Sequence, residues 1–322
     1  MSAESSLVLR EDIEKLWASV QESTADPRAG IFGPESISWK INRESALFLG
    51  AGRASLLQLA HPWVAAALDQ HSNLRNDPLA RFHHTFRVVF TMIFGTLDQA
   101  LAASRRLYQL HTRIRGELPE AVAAHARGSH YEANEVHALV WVYATLIESA
   151  LMAYECALPP LPAGERETYY AESRLIAALF GIAGDKLPAD WRAFEAYSGE
   201  MLRSGQLGVN ALSSELAERV LHGRGSWVPV PGWYRALTAA WLPDPLRNAF
   251  GLAYGEREQR SARVAAKWVP RLYCRLPAAI RYVGPYREAL ARIQGVEPGP
   301  LVGLSNRFWM GQARTMFGGA QR

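Results

Sequence analysis

DPLARFHHTFRVVFTMIFGTLDQALAASRRLYQLHTRIRG, residues 77–116, is the stretch whose reading decides the fold. Asp77 is a good N-cap, and Pro78 sits at the first helical position, where its missing N–H costs nothing. The spacing predicts a helix from there to about Phe94, stopped at Gly95. A second helix is predicted over 97–115. Its apolar stripe is Leu97, Ala100, Leu101, Leu107, His111 and Ile114, and Gly116 ends it.

Working outward, apolar residues recur at helical spacing over most of the chain, while strict alternation is scarce and hairpin signals are weak. Helical segments are predicted over 6–22, 134–156, 165–180, 190–203, 209–220, 233–241, 244–254 and 256–268. Another covers 42–70, interrupted at Gly50, Gly52 or Pro62. Residues 138–147 are apolar almost all round, as in a central helix, and this ten-residue run is too short to cross a bilayer. Residues 223–232 read as a turn-rich connector. The fold class is all-α: one domain over 1–322, with a helical core about 41–295 and a loosely attached C-terminal arm at 296–322.

With 49% apolar and 20% charged residues among 322, a large core forms and global disorder is excluded. The net charge of +4 is a small excess for this length and gives no argument for nucleic acid or an anionic membrane. Lysine occurs only at 15, 40, 186 and 267, so Arg supplies 31 of the 35 basic residues. Its planar fork suits buried carboxylate pairing. Cys156 and Cys274 form no metal or disulfide pattern. No secretory leader is visible near Met1, so a soluble, cytoplasmic protein is expected.

Motifs with strong mechanistic signatures are missing. Gly50-Ala51-Gly52 lacks the third glycine of a dinucleotide loop, and close helix packing explains it better. A diiron bundle would need Glu-x-x-His pairs. Glu148, Glu155 and Glu172 have no such partners, and Glu135 and His137 are two apart rather than three. The stronger constellation lies on the opening stretch. Arg81, His84, Thr85, Val88 and Met92 share one helical face, which puts a guanidinium, an imidazole and a hydroxyl onto an apolar interior. On the next helix His111 lies within the apolar stripe, with Arg115 one turn on. It reads either as a core histidine satisfied by a helix–helix bond or as a haem ligand. His61 and Asp69 fall on roughly one face unless Pro62 kinks the helix. Tyr143 reads as a buried phenol with one hydrogen-bond partner.

Several of these stretches carry a resemblance: Gly52-Arg53 through Leu57, Ala60-His61-Pro62, His71-Ser72, Asp77-Pro78, Arg81 to Thr85, Phe94-Gly95, His111 to Gly116 and Trp141 to Leu146. Over about 41–155 the chain resembles the DUF2236 family, which takes in the latex-clearing rubber oxygenases and the MpaB-type oxygenases. The resemblance implies a haem b pocket between central helices and an oxygenase that uses dioxygen on a hydrophobic organic substrate, saturated or unsaturated, small or isoprenoid-like. The family's proximal histidine falls on His111, within a His-x-x-x-Arg pattern completed by Arg115. Its distal Arg-x-x-Lys-Thr pattern falls on Arg81, His84 and Thr85, with His84 in place of lysine. Tyr143 stands where many relatives carry His, and joins His111 and Arg115 as an expected cofactor contact. Secreted rubber-cleaving members usually carry export signals, and none is visible here, so a substrate other than rubber is expected. The charge and the short apolar run set the further expectation of no nucleic-acid partner and no transmembrane segment. Peroxide in place of dioxygen, a non-catalytic haem binder ligated through both His111 and His84, and a haem-free helical interaction protein remain open.

Overall fold

Asp77 caps its helix as the sequence predicts, its carboxylate accepting the Ala80 N–H at 2.8 Å. A computed structural model describes residues 7–223 and 229–315. The chain begins with α1 (Arg10–Ser23) and α2 (Ile37–Asn42), then a 3₁₀ turn over Ser45–Gly50. The segment expected over 42–70 is divided, giving α3 (Ala51–Leu59) and α4 (Pro62–His71), because Pro62 starts a new helix instead of bending an old one. The decisive stretch forms α5 (Pro78–Phe94) and α6 (Leu97–His111). Thr96 and Gln99 close a reciprocal capping box at the start of α6.

A two-stranded antiparallel ribbon follows, β1 (Arg115–Glu117) and β2 (His130–Glu132), in the register Arg115↔Glu132. Then come α7 (Val136–Ala157), α8 (Ala163–Leu179), α9 (Trp191–Arg203) and α10 (Ala211–His222). Of the expected 223–232 connector, residues 224–228 lie outside the described residues. The C-terminal part holds α11 (Gly232–Trp241), α12 (Asp244–Ala249), α13 (Glu256–Tyr273), α14 (Ala278–Arg281), α15 (Gly284–Gln294) and α16 (Pro300–Met310). The protein is a single all-α, multi-helix globular domain.

Helix α7 is the axis. It packs against α3, α8, α13 and the 3₁₀ turn, and Trp141 and Tyr143 are buried along it. At 22 residues α7 is long and apolar enough to cross a membrane, but 67% of its most apolar window is buried inside the fold. Close approach explains Gly50: a Cβ there would run into the backbone carbonyl of Ser149 on α7. Buried arginines are paired as their planar forks allow. Arg53 donates to Glu148 Oε2 (2.7 Å), Ser149 Oγ (2.8 Å) and the Trp241 carbonyl (3.1 Å). Arg281 donates twice to the buried Glu44 carboxylate, at 2.8 and 3.0 Å. The other carboxylates considered for a metal also serve structure: Glu155 pairs with Arg166, and Glu172 accepts the Ile37 and Ser38 N–H groups at the start of α2.

The tail expected as a loose arm instead forms α16, which lies on α5. Trp309 stacks on Phe48 at 3.8 Å, and Arg87 donates to the Met310 carbonyl at 2.8 Å. Residues 316–322 of that expected arm lie outside the described residues.

Candidate active site

Helices α3 to α7, α11 and α13 enclose a cavity of about 1150 Å³, walled mainly by aliphatic and aromatic side chains. Helix α5 turns Arg81, His84, Thr85 and Val88 into it, at the spacing read from the sequence. Met92 parts from that face and is fully buried in the core between α5, α6 and α15. From α6, His111 faces the same space. The structure therefore brings Arg81, His84, Thr85 and His111 together around one apolar void.

Electrostatically the site is unusual in its cation. Burial lowers the pKa of Arg81, and among the described residues no carboxylate or carbonyl pairs with its guanidinium. His111 is pushed down to about 4, first by burial and then by the charge of Arg81, while the Asn134 side chain opposes the shift by a hydrogen bond. Its exposed surface faces the cavity. His84 is also lowered, by burial first and then by Arg81 and Arg87. Both imidazoles are thus neutral near neutral pH, the form that offers a ring-nitrogen lone pair. Thr85 donates its hydroxyl proton to the Arg81 carbonyl at 3.0 Å, which leaves its oxygen to act as an acceptor.

Two residues expected to contact the cofactor lie outside the lining of this cavity. Arg115 does not reach the cavity, because α6 ends at His111 and a tight turn leads into β1, so the helical i, i+4 relation no longer holds. Its side chain is exposed, and its carbonyl accepts from His71 Nε2 at 3.1 Å. Tyr143 lies on the α8 side of α7, fully buried, and donates to Ser173 Oγ at 2.5 Å. The cavity wall of α7 is instead Ala138, Leu139, Val142 and Leu146. His61 and Asp69 also part company: His61 precedes α4, while Asp69 pairs with Arg75.

Asn134 was not found by sequence spacing. The ribbon places it: the Arg115↔Glu132 register returns the chain past the end of α6, and Ala133 N–H bonds the Ile114 carbonyl at 3.0 Å. The asparagine just beyond meets His111. Tyr234 is a second addition. Its hydroxyl accepts from Gly52 N–H (2.9 Å), donates to the Phe48 carbonyl (3.1 Å), and is pushed up to about 12 by burial.

Residues 39–271, which hold every one of these groups, match the family described as ER-bound oxygenase mpaB/B'/Rubber oxygenase, catalytic domain. The chain belongs to this oxygenase family. Neither a curated protein nor a solved structure matches it. Membership makes the protein a haem b-dependent oxygenase that acts on a hydrophobic substrate with dioxygen. It also overturns the cytoplasmic expectation: the family's description begins with an ER-bound oxygenase, which implies membrane association for the family in place of a freely soluble, cytoplasmic protein.

Proposed function

We propose that the central cavity would hold haem b, with His111 as the residue that would bind its iron, and that Arg81, His84 and Thr85 on α5 shape the space for dioxygen and substrate. The observation that carries this reading is a neutral imidazole and an unpaired guanidinium facing one large apolar void. Pockets for a single drug-sized ligand run to about 300–1,000 Å³, so this volume has room for a macrocycle and an apolar co-substrate. Bound there, haem would supply an iron centre able to activate dioxygen.

The remaining roles belong to the chain. Asn134 accepts from one ring nitrogen of His111, which fixes the tautomer and leaves the other nitrogen free to ligate. Arg81 directs a fixed positive charge into a low-dielectric space, where it stabilises developing negative charge with little reorganisation. His84 is neutral and holds or releases a proton at its ring nitrogens, as the lysine of the family pattern would at its amine. The aliphatic wall of α7 excludes water and selects a hydrocarbon-like substrate.

Replacing His111 by Ala tests the assignment. The expected outcome is loss of stoichiometric haem, measured by pyridine haemochrome on purified protein. Full occupancy with an unchanged ferric spectrum overturns it. His84 lines the same cavity and is also neutral, which favours a resting state ligated by both imidazoles. In that state the ferric spectrum is low-spin and becomes high-spin in His84→Ala.

A further inference from the structure

Helix α13 carries an unusual outer surface. Val264, Trp268 and Leu272 follow one another at i, i+4 and i+8, and are 51%, 48% and 55% exposed. A stripe of that spacing is continuous along one helical face. The opposite edge of the helix, Ala262, Ala265 and Tyr273, is buried against the fold. Beside the apolar stripe runs a second one, made of Arg260, Arg263, Lys267 and Arg271. All four are exposed, and among the described residues no carboxylate forms an ion pair with any of them. Arg271 lies over the Trp268 ring at 5.9 Å. Past the helix, Arg275 and the apolar Leu276 and Ile280 extend both features.

An amphipathic helix rich in Lys and Arg, with Trp and Leu along one exposed edge, is built to lie in a membrane interface. There the apolar edge enters the acyl boundary, while the long cationic stems reach back to the headgroups. The stripe also has a place in the chemistry. Val264, Trp268, Leu272 and Leu276 are exposed and line the central cavity as well, so the cavity reaches the surface along this edge.

We propose that α13 docks the protein on an anionic phospholipid bilayer, with Val264, Trp268 and Leu272 immersed and Arg260, Arg263, Lys267 and Arg271 on the headgroups. A hydrophobic substrate dissolved in that bilayer then enters the cavity without crossing water. This goes beyond membrane association as a family trait, because it assigns the face, the lipid charge and the route. Charge complementarity selects the occupant: a second copy would set four unpaired cations against four more, whereas acidic lipid neutralises them. The one helix long and apolar enough to span a bilayer among the described residues, α7, is occupied in the core.

The test is co-sedimentation of the haem-loaded full chain with phosphatidylcholine vesicles, with and without phosphatidylserine. The expected result is binding that requires phosphatidylserine and weakens as salt is raised. Arg263→Gln with Lys267→Gln should lower partitioning by about 30-fold, roughly fivefold per charge. Independently, Trp268→Ser with Leu272→Ser should lower it on the order of tenfold. All four side chains are exposed, and unchanged thermal unfolding verifies that each variant folds. Equal binding to neutral and anionic vesicles, or wild-type partitioning in both variants, overturns the proposal. So does an absence of vesicle binding with a concentration-dependent dimer that either variant dissolves. The readout requires no turnover, so an error in the haem ligand assignment leaves it intact.

Discussion

Replacing Arg81 by Met should make the haem-free protein more stable and the working protein worse. The two side chains are similar in length and helix propensity, so the change mainly removes a charge. That charge is enclosed by the cavity wall and has no pairing group among the described residues. Taking an unpaired ion out of water costs several kcal/mol even after relaxation. The void in front of Arg81 is large enough to admit solvent, which lowers the cost to about 1–2 kcal/mol. In a chain of this length that raises the melting temperature by roughly 1–3 °C. Haem loading should invert the balance, because a ligand stabilises in proportion to its affinity for the folded state, and the wild type should gain more from it. The assay is scanning calorimetry on four samples: wild type and Arg81→Met, each haem-free and haem-loaded. A haem-free variant that melts below the wild type would refute the reasoning, since the guanidinium must then be making a favourable bond in the empty site. An identical difference with and without haem would remove Arg81 from the cofactor and substrate side altogether.

Other changes probe the scaffold. Gly50→Ala forces a Cβ against the Ser149 backbone carbonyl, which cannot rotate away, and should cost about 1–3 kcal/mol in urea unfolding. An unchanged midpoint would mean that the 3₁₀ turn and α7 approach less closely. His61 is held down to about 3 by burial first and then by His125 and His137, and its Nδ1 has no protein partner. Below about pH 6.5 the unfolded chain takes up a proton that the folded chain refuses. Stability therefore falls as pH falls, by up to about 1.4 kcal/mol per pH unit from this group until about pH 3. His61→Gln should flatten the dependence of unfolding free energy on pH by close to one proton over that window. Parallel curves for the two proteins would show that His61 is protonated in the fold.

The helices were legible wherever a local device announced them. Asp77-Pro78 marks the start of α5, Gly95 its end, and the apolar ring of 138–147 marks the axis of α7. The face of Arg81, His84 and Thr85 followed from periodicity because α5 is regular throughout. Periodicity failed where the backbone changed state. Thr112 still has helical dihedrals, yet the bonds from Arg113 and Ile114 reach back only three residues, and the helix dissolves into β1. Extrapolating the helix to Arg115 thus aimed its side chain in the wrong direction. The strands themselves are three residues long and carry no alternation that a pattern could register. At the other extreme α13 continues five residues past its expected end at Trp268. Pro270 lies inside it and has no N–H to return to the Ala266 carbonyl, which is why a pattern reading stops the helix short of that residue. Tyr143 illustrates a different limit: helical phase said that it was buried, but only the packing of α8 determined which neighbour it would meet.

The contrast between two arginines bears most directly on what the cavity is for. Arg53 is 5% exposed and has three partners: a carboxylate, a hydroxyl and a backbone carbonyl. Arg281, likewise drawn to a buried carboxylate, engages Glu44 with both arms of its fork. A sequence that supplies such partners at two places in one domain has the means to supply them at a third. At Arg81 it does not, and it leaves the guanidinium in a cavity whose walls include Val88, Leu139 and Val142, with two imidazoles kept neutral. Left to stability alone, such a charge is removed or paired, because nothing in the empty fold repays its desolvation. Its retention is accounted for if the missing counter-charge arrives with the cofactor or develops during the reaction. The same reasoning explains why His111 bonds to a neutral amide and not to a carboxylate. An acidic partner would raise the imidazole pKa and favour the protonated ring, whereas Asn134 orients it and leaves a nitrogen lone pair free.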